Sequence, residues 1–122
     1  MTTKQKIDIL ACVFKAAKEA AIAADPGEGM KNDGGTCNLD TPAFKIKGMR
    51  RQTIEKAARK AGVGVTQFHW FGGRIWYWLD VPRRGQANRR STMSSAASKV
   101  LSEFQESGII PGFRACQYCQ MD

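Results

Sequence analysis

Residues 65–81 read VTQFHWFGGRIWYWLDV, and the reading of this stretch decides the fold. It holds all three Trp, one of the two Tyr and two of the six Phe. Two runs rich in β-branched and aromatic residues flank Gly72-Gly73, the composition of strands on a pleated, half-buried surface. A Gly-Gly pair accepts positive φ at both central positions of a tight two-residue turn. With the turn there, Phe71 faces Arg74, Trp70 faces Ile75, His69 faces Trp76, Phe68 faces Tyr77 and Gln67 faces Trp78. Alternation along a strand then gives a core face of Phe68, Trp70, Ile75, Tyr77 and Leu79. The other face carries Gln67, His69, Phe71, Arg74, Trp76, Trp78 and Asp80. Covered on one side only, the sheet leaves His69, Phe71, Arg74, Trp76 and Trp78 as a stacking surface, because flat aromatics beside Arg hold single-stranded nucleic acid. Covered on both sides, it makes Trp76 and Trp78 core.

The flanking segments predict the remaining elements. Residues 4–24 carry Ile7, Leu10, Phe14, Ala17 and Ala21 at helical spacing, with Val13 beside them, and Asp25-Pro26-Gly27 ends that helix. Residues 25–40 form a loop rich in Gly, Asn and Asp, in which Gly34-Gly35-Thr36 offers backbone N–H groups to an anion; no GxxxxGK[ST] pattern is present. Residues 41–46 suit a short edge strand, with Pro42 tolerated near its start. Residues 50–61 form a second helix with an apolar stripe of Ile54, Ala57, Ala58 and Ala61, closed by Gly62. A third helix over about 91–107 presents Met93, Ala96, Ala97, Val100, Leu101 and Phe104, with Ser91 or Thr92 as N-cap. Gly108 ends it, and a strand over 111–120 completes the chain. The sequence therefore predicts one α+β domain spanning 1–122: an antiparallel sheet of three or four strands, built on the 65–81 hairpin, against about three helices.

Charge is unevenly placed. Net charge is +8, yet residues 43–62 alone carry +6 and residues 63–90 carry +4. Such a concentrated positive field raises the local concentration of polyanions. The exposed cations of the second helix, Lys56, Arg59 and Lys60, with Arg50 and Arg51 before them, form a basic surface. Residues 81–92, VPRRGQANRRST, place Arg83, Arg84, Arg89 and Arg90 around Gly85, just ahead of a helix start. Unpaired N–H groups and guanidinium groups there make Arg83, Arg84, Arg89, Arg90, Ser91 and Thr92 the strongest phosphate site in the chain. The alternative is that Arg89 and Arg90 are solvated, or pair with Asp80 or a C-terminal acid.

Other chemistry finds little support. Cys116 and Cys119 form one CxxC, but a second ligand pair at close spacing is missing, and positions three apart on a strand point to opposite faces; no metal or other cofactor is expected. The one His, His69, sits among aromatics, and the basic half offers only Glu55 and Asp80 as acids, so the chain reads as a non-enzymatic binder. No apolar run approaches the length of a membrane span, and the opening MTTKQKIDIL lacks a signal-peptide pattern; a cytoplasmic protein with reduced thiols is expected.

Two resemblances bear on function. TIEKAARKAGVGVTQF, residues 53–68, resembles the first part of a helix-turn-helix, which would require a recognition helix over 65–71, where the residues favour strand. NDGGTCNLDTP, KAARKAG and GQANRRSTM resemble small accessory proteins of phages and mobile elements. That resemblance implies counter-defence roles: sequestering a nucleotide signal, or blocking a nucleic-acid-guided nuclease. The partner expected from the residues themselves is nucleic acid or a nucleotide, with an acidic protein as the alternative.

Overall fold

The computed structural model describes residues 1–27, 41–70, 73–81 and 87–118. Its elements are α1 (Thr3–Ala23), β1 (Thr41–Ile46), α2 (Arg51–Ala61), β2 (Gly64–Trp70), β3 (Arg74–Asp80), α3 (Ala87–Ser107) and β4 (Phe113–Tyr118). The strands form one sheet in the order β2-β3-β1-β4, and every neighbouring pair is antiparallel. The α+β architecture read from the sequence is the one observed. β1 and β2 run parallel with β3 between them, as do β3 and β4 with β1 between them. Each of these pairs is bridged by a helix, so the chain from β1 onward follows the split βαβ pattern, with α1 added in front. Among the described residues, no helix is long and apolar enough to cross a membrane.

Local chemistry sets the helix ends. Thr2 and Gln5 form a reciprocal capping box at the start of α1: Gln5 N donates to Thr2 Oγ1 at 3.1 Å, and Thr2 N donates to Gln5 Oε1 at 2.8 Å. Gly62 closes α2 in the left-handed conformation, φ +74°. α1 packs against both α2 and α3. Its buried residues, Leu10, Ala11, Phe14, Ala17 and Ala21, include the expected Leu10–Phe14–Ala17–Ala21 stripe. The small Ala residues let neighbouring helices approach closely. Lys18 Nζ donates to Gly62 O at 3.1 Å and ties α1 to the end of α2. Gln105 Oε1 accepts from Ala115 N at 2.7 Å, which anchors α3 to the edge strand β4.

Phe44 is the centre of the core. Its ring lies 5.1 Å from Phe14, 5.5 Å from Tyr77 and 5.7 Å from Phe113, centroid to centroid. Phe104 meets Phe113 edge-on at 5.0 Å. One helix and the two strands flanking β1 therefore converge on this one β1 side chain. Burial pushes the Tyr77 phenol above its ordinary value, so it stays neutral inside this cluster.

Three expectations require correction. β1 is an interior strand, not an edge: β3 and β4 flank it, and all but Lys45 of its residues are buried. Pro42 is accommodated because pairing with β3 is registered only at Ala43 and Phe44. α3 begins at Ala87, so Ser91 and Thr92 lie inside the helix and neither is its N-cap. The run Gly64–Trp70 is the strand its residues predict, which leaves no recognition helix for a helix-turn-helix. Finally, β2 and β3 pair one residue out of the expected register. Trp70 lies opposite Arg74, His69 opposite Ile75, Phe68 opposite Trp76, Gln67 opposite Tyr77 and Thr66 opposite Trp78. Three residues, not two, separate the paired strands, and Gly73 supplies a positive φ of 89°. A one-residue slip moves every side chain of one strand to the opposite face relative to its partner.

Because Phe44 is fully buried among three other rings, Phe44→Ala is expected to lower unfolding stability by about 3–5 kcal/mol. Urea unfolding of the variant against the parent measures this. A loss well under that range would mean that the core does not depend on Phe44.

Candidate nucleic-acid interface

The register sorts the sheet into two unlike faces. The sheet side chains inside the helix-packed core are Phe44, Ile46, Tyr77, Leu79 and Phe113, with Val65 and Ala115 at its margin. Alternation places Lys45, Thr66, Phe68, Trp70, Arg74, Trp76, Trp78, Asp80 and Arg114 on the other side. Four aromatics meet there. Phe68 stacks on Trp78 at 4.7 Å, Trp70 meets Trp76 edge-on at 5.2 Å, and Phe68 lies 5.7 Å from Trp70. These are neighbouring or diagonal positions on one face, within reach of large rings. Trp76 is the floor of the group at 6% exposure, while Phe68, Trp70 and Trp78 remain partly exposed.

The expected stacking set is therefore changed in membership. Trp76, Trp78 and Arg74 lie on this face as read from the sequence. Phe68 and Trp70, expected in the core, join them because of the odd connection. His69 faces the other way, opposite Ile75, and is exposed. Phe71 lies outside the described residues.

The face has an electrostatic direction. At one end Thr66 Oγ1 donates to Asp80 Oδ2 at 3.0 Å. At the other end stand Lys45, Arg74 and Arg114. Lys45 Nζ sits 5.0 Å above the centre of the Trp76 ring, a cation–π contact. Arg114 holds its guanidinium by donating from Nη1 to Pro111 O at 3.1 Å and Phe113 O at 2.8 Å. Sequence reading missed Lys45 and Arg114, because only the strand order brings β1 and β4 beside the Trp strand. A cavity of about 370 Å³ opens among Lys45, Lys47, Arg74 and Arg114. A second, of about 580 Å³, opens beside Lys6, Lys47 and Arg50. Neither is lined by an Asp or Glu among the described residues.

The expected phosphate loop is organised differently. Arg89 is 8% exposed, and its guanidinium forms a two-pronged pair with Asp25: Nε to Oδ1 at 2.7 Å and Nη2 to Oδ2 at 3.0 Å. Its partner is neither Asp80 nor a C-terminal acid but the residue just past α1. This bond locks the first turn of α3 to the end of α1, so Arg89 is structural. Arg90 is partly buried, and with Ser94 and Ser98 it forms a stripe along α3. The Arg90 Nε and the two Oγ atoms are buried without a hydrogen-bond partner among the described residues. Ser91 and Thr92 are side chains of the same helix. Arg83, Arg84 and the Gly34-Gly35-Thr36 segment lie outside the described residues.

The α2 cations are exposed, but some are engaged. Arg51 pairs with Glu55 at 3.2 Å, and Lys60 pairs with Asp8 of α1. The hydrogen bond from Lys60 holds the Asp8 carboxyl below its ordinary range; that attraction is present at neutral pH and is lost as pH falls through the lowered value. Arg50, Lys56 and Arg59 are exposed. Among the described residues no three His, Cys, Asp or Glu side chains cluster as metal ligands; Cys119 lies outside them. The chain matches no protein-family model, no curated protein and no solved structure.

The Arg89–Asp25 pair is largely shielded from water, with 9% and 14% of the two side chains exposed. Removing one partner strands the other's charge. Arg89→Ala is expected to destabilise the fold by about 3–5 kcal/mol, measured by chemical unfolding. A variant as stable as the parent would return Arg89 to the list of ligand-binding candidates.

Proposed function

We infer that this chain is a non-enzymatic binder of single-stranded nucleic acid, using the sheet face of Phe68, Trp70, Trp76 and Trp78. The observation that supports this reading is the joining of four aromatics to Lys45, Arg74 and Arg114 on the side of the sheet away from the helical core. Bases stack on such rings without regard to sequence, and adjacent cations meet the phosphates. A duplex keeps its bases stacked on one another and has no use for partly exposed rings on a sheet; unstacked bases do. The reading replaces the Arg83–Thr92 loop with the sheet as the primary surface. A counter-defence role, as the phage-like segments imply, is compatible with capture of a short single strand.

Phe68 and Trp70 sit on the edge strand and are partly exposed, so both can be shortened without opening the core. Phe68→Ala with Trp70→Ala is expected to weaken binding of a single-stranded oligonucleotide about tenfold or more, from about 1–3 kcal/mol per stacked base. Fluorescence anisotropy at fixed salt reads the effect, and thermal melting confirms the fold. Unchanged affinity in a folded variant would reject the aromatic face as the binding surface.

A further inference from the structure

The two basic cavities are neighbours that share one wall. Both are lined by Ile46, Lys47, Pro111 and Gly112, where the chain leaves β1 and enters β4. One opens toward Lys45, Arg74 and Arg114 on the aromatic side. The other opens toward Lys6 and Arg50, where α1 and α2 begin. Their common rim is backbone: Lys47 N donates to Gly112 O at 3.1 Å, and a Cβ built on Gly112 would stand 2.9 Å from Lys47 O. Only glycine permits this approach, so the end of the sheet is tight and carries no side chain at that point.

The cavity-lining cations differ from those in ion pairs. Arg51, Lys60 and Arg89, which line neither cavity, are ion-paired. Lys6, Lys45, Lys47, Arg50, Arg74 and Arg114 line the two neighbouring cavities, and none has a carboxylate partner among the described residues. Six like charges around one rim repel each other, and a polyanion relieves that repulsion while releasing its counterions. The spacing along a rim, rather than within one compact pocket, suits a chain of phosphates.

We propose that a single strand bound on the aromatic face continues around the β1–β4 end of the sheet, its phosphates passing from Lys45, Arg74 and Arg114 to Lys47 and then to Lys6 and Arg50. This rests on the function proposed above and adds the path and minimum length of the ligand. A short strand reaches only the aromatic face and its adjacent cations. A longer one gains the second cavity.

The test uses the full chain and oligodeoxythymidylates of about four and about twelve nucleotides, within the span of single-strand sites. Lys6→Gln with Arg50→Gln removes two cations that touch neither the aromatics nor the first cavity. The longer strand is expected to bind the variant about five- to tenfold more weakly. Its log–log salt slope should fall by about 1.4, two phosphate contacts at about 0.7 each. The shorter strand should bind parent and variant alike. If the double variant does not fold, the single variants Lys6→Gln and Arg50→Gln replace it, each expected to lower the salt slope for the longer strand by about 0.7 and to leave the shorter strand unaffected. An unchanged affinity and salt slope for the longer strand, with Phe68→Ala/Trp70→Ala still defective, overturns the path and leaves the aromatic-face reading standing. Failure of the parent to bind either strand overturns both.

Discussion

Three residues separate Trp70 from Arg74, and that odd number decides which side chains share a face. With two residues between them, Phe68 and Trp70 would project beside Tyr77 and Leu79 into the helical core, and Gln67 and His69 would stand among Trp76 and Trp78. With three, the hydrophobic residues that alternate along β2 divide from those of β3 in the opposite sense. Val65 then joins Leu79 at the core, and Phe68 and Trp70 join Trp76 and Trp78 on the far side. Pairing large rings across and diagonally between strands stabilises the hairpin itself, at about 0.2–1 kcal/mol per pair. The same pairing builds a contiguous aromatic cluster on the side of the sheet opposite the helix-packed core.

The remaining architecture supports this division. Phe44 binds β1 to β3, β4 and α1 through three ring contacts, and so holds the core side of the sheet rigid. The Arg89–Asp25 pair fixes α3 against the end of α1. A rigid, helix-backed sheet loses little conformational freedom when its other face is occupied, and this favours binding. Charge follows the same logic. Lys60 and Arg89, which join one element to another, are paired with acids, whereas the cations around the β1–β4 rim have no carboxylate partner among the described residues. An anionic strand meeting the rim gains attraction at modest desolvation cost, with a steep dependence on salt.

Much of this was legible in the sequence. Helical spacing gave Leu10, Phe14, Ala17 and Ala21, and Ile54 with Ala57 and Ala58, as buried stripes; the β-branched and aromatic runs gave both strands of the hairpin. The alternation along β3 is also as expected for Tyr77, Leu79, Trp76, Trp78 and Arg74, whereas Ile75, expected in the core, is 48% exposed at the turn end of the hairpin. The β2 side was not legible, because Gly72-Gly73 is compatible with either a two-residue or a three-residue connection, and the two choices invert one strand's faces. Arg89 and Asp25 are 64 residues apart, so no local pattern announces their bond, and a cluster of Arg near a helix start reads as an anion site until its partner is seen. Lys45 and Arg114 escaped notice for a related reason: only the strand order β2-β3-β1-β4 sets them beside Trp76.

All three Trp of the chain, Trp70, Trp76 and Trp78, lie on the aromatic face, so intrinsic tryptophan emission reports on that face alone. Titrating the protein with an unlabelled single-stranded oligonucleotide at moderate salt, while anisotropy of a labelled copy follows binding in parallel, tests the account most directly. The account predicts saturable quenching of the tryptophan emission with the same midpoint as the anisotropy change, as bases stack against the indoles. Saturable binding by anisotropy with unaltered tryptophan emission would place the ligand elsewhere and contradict it.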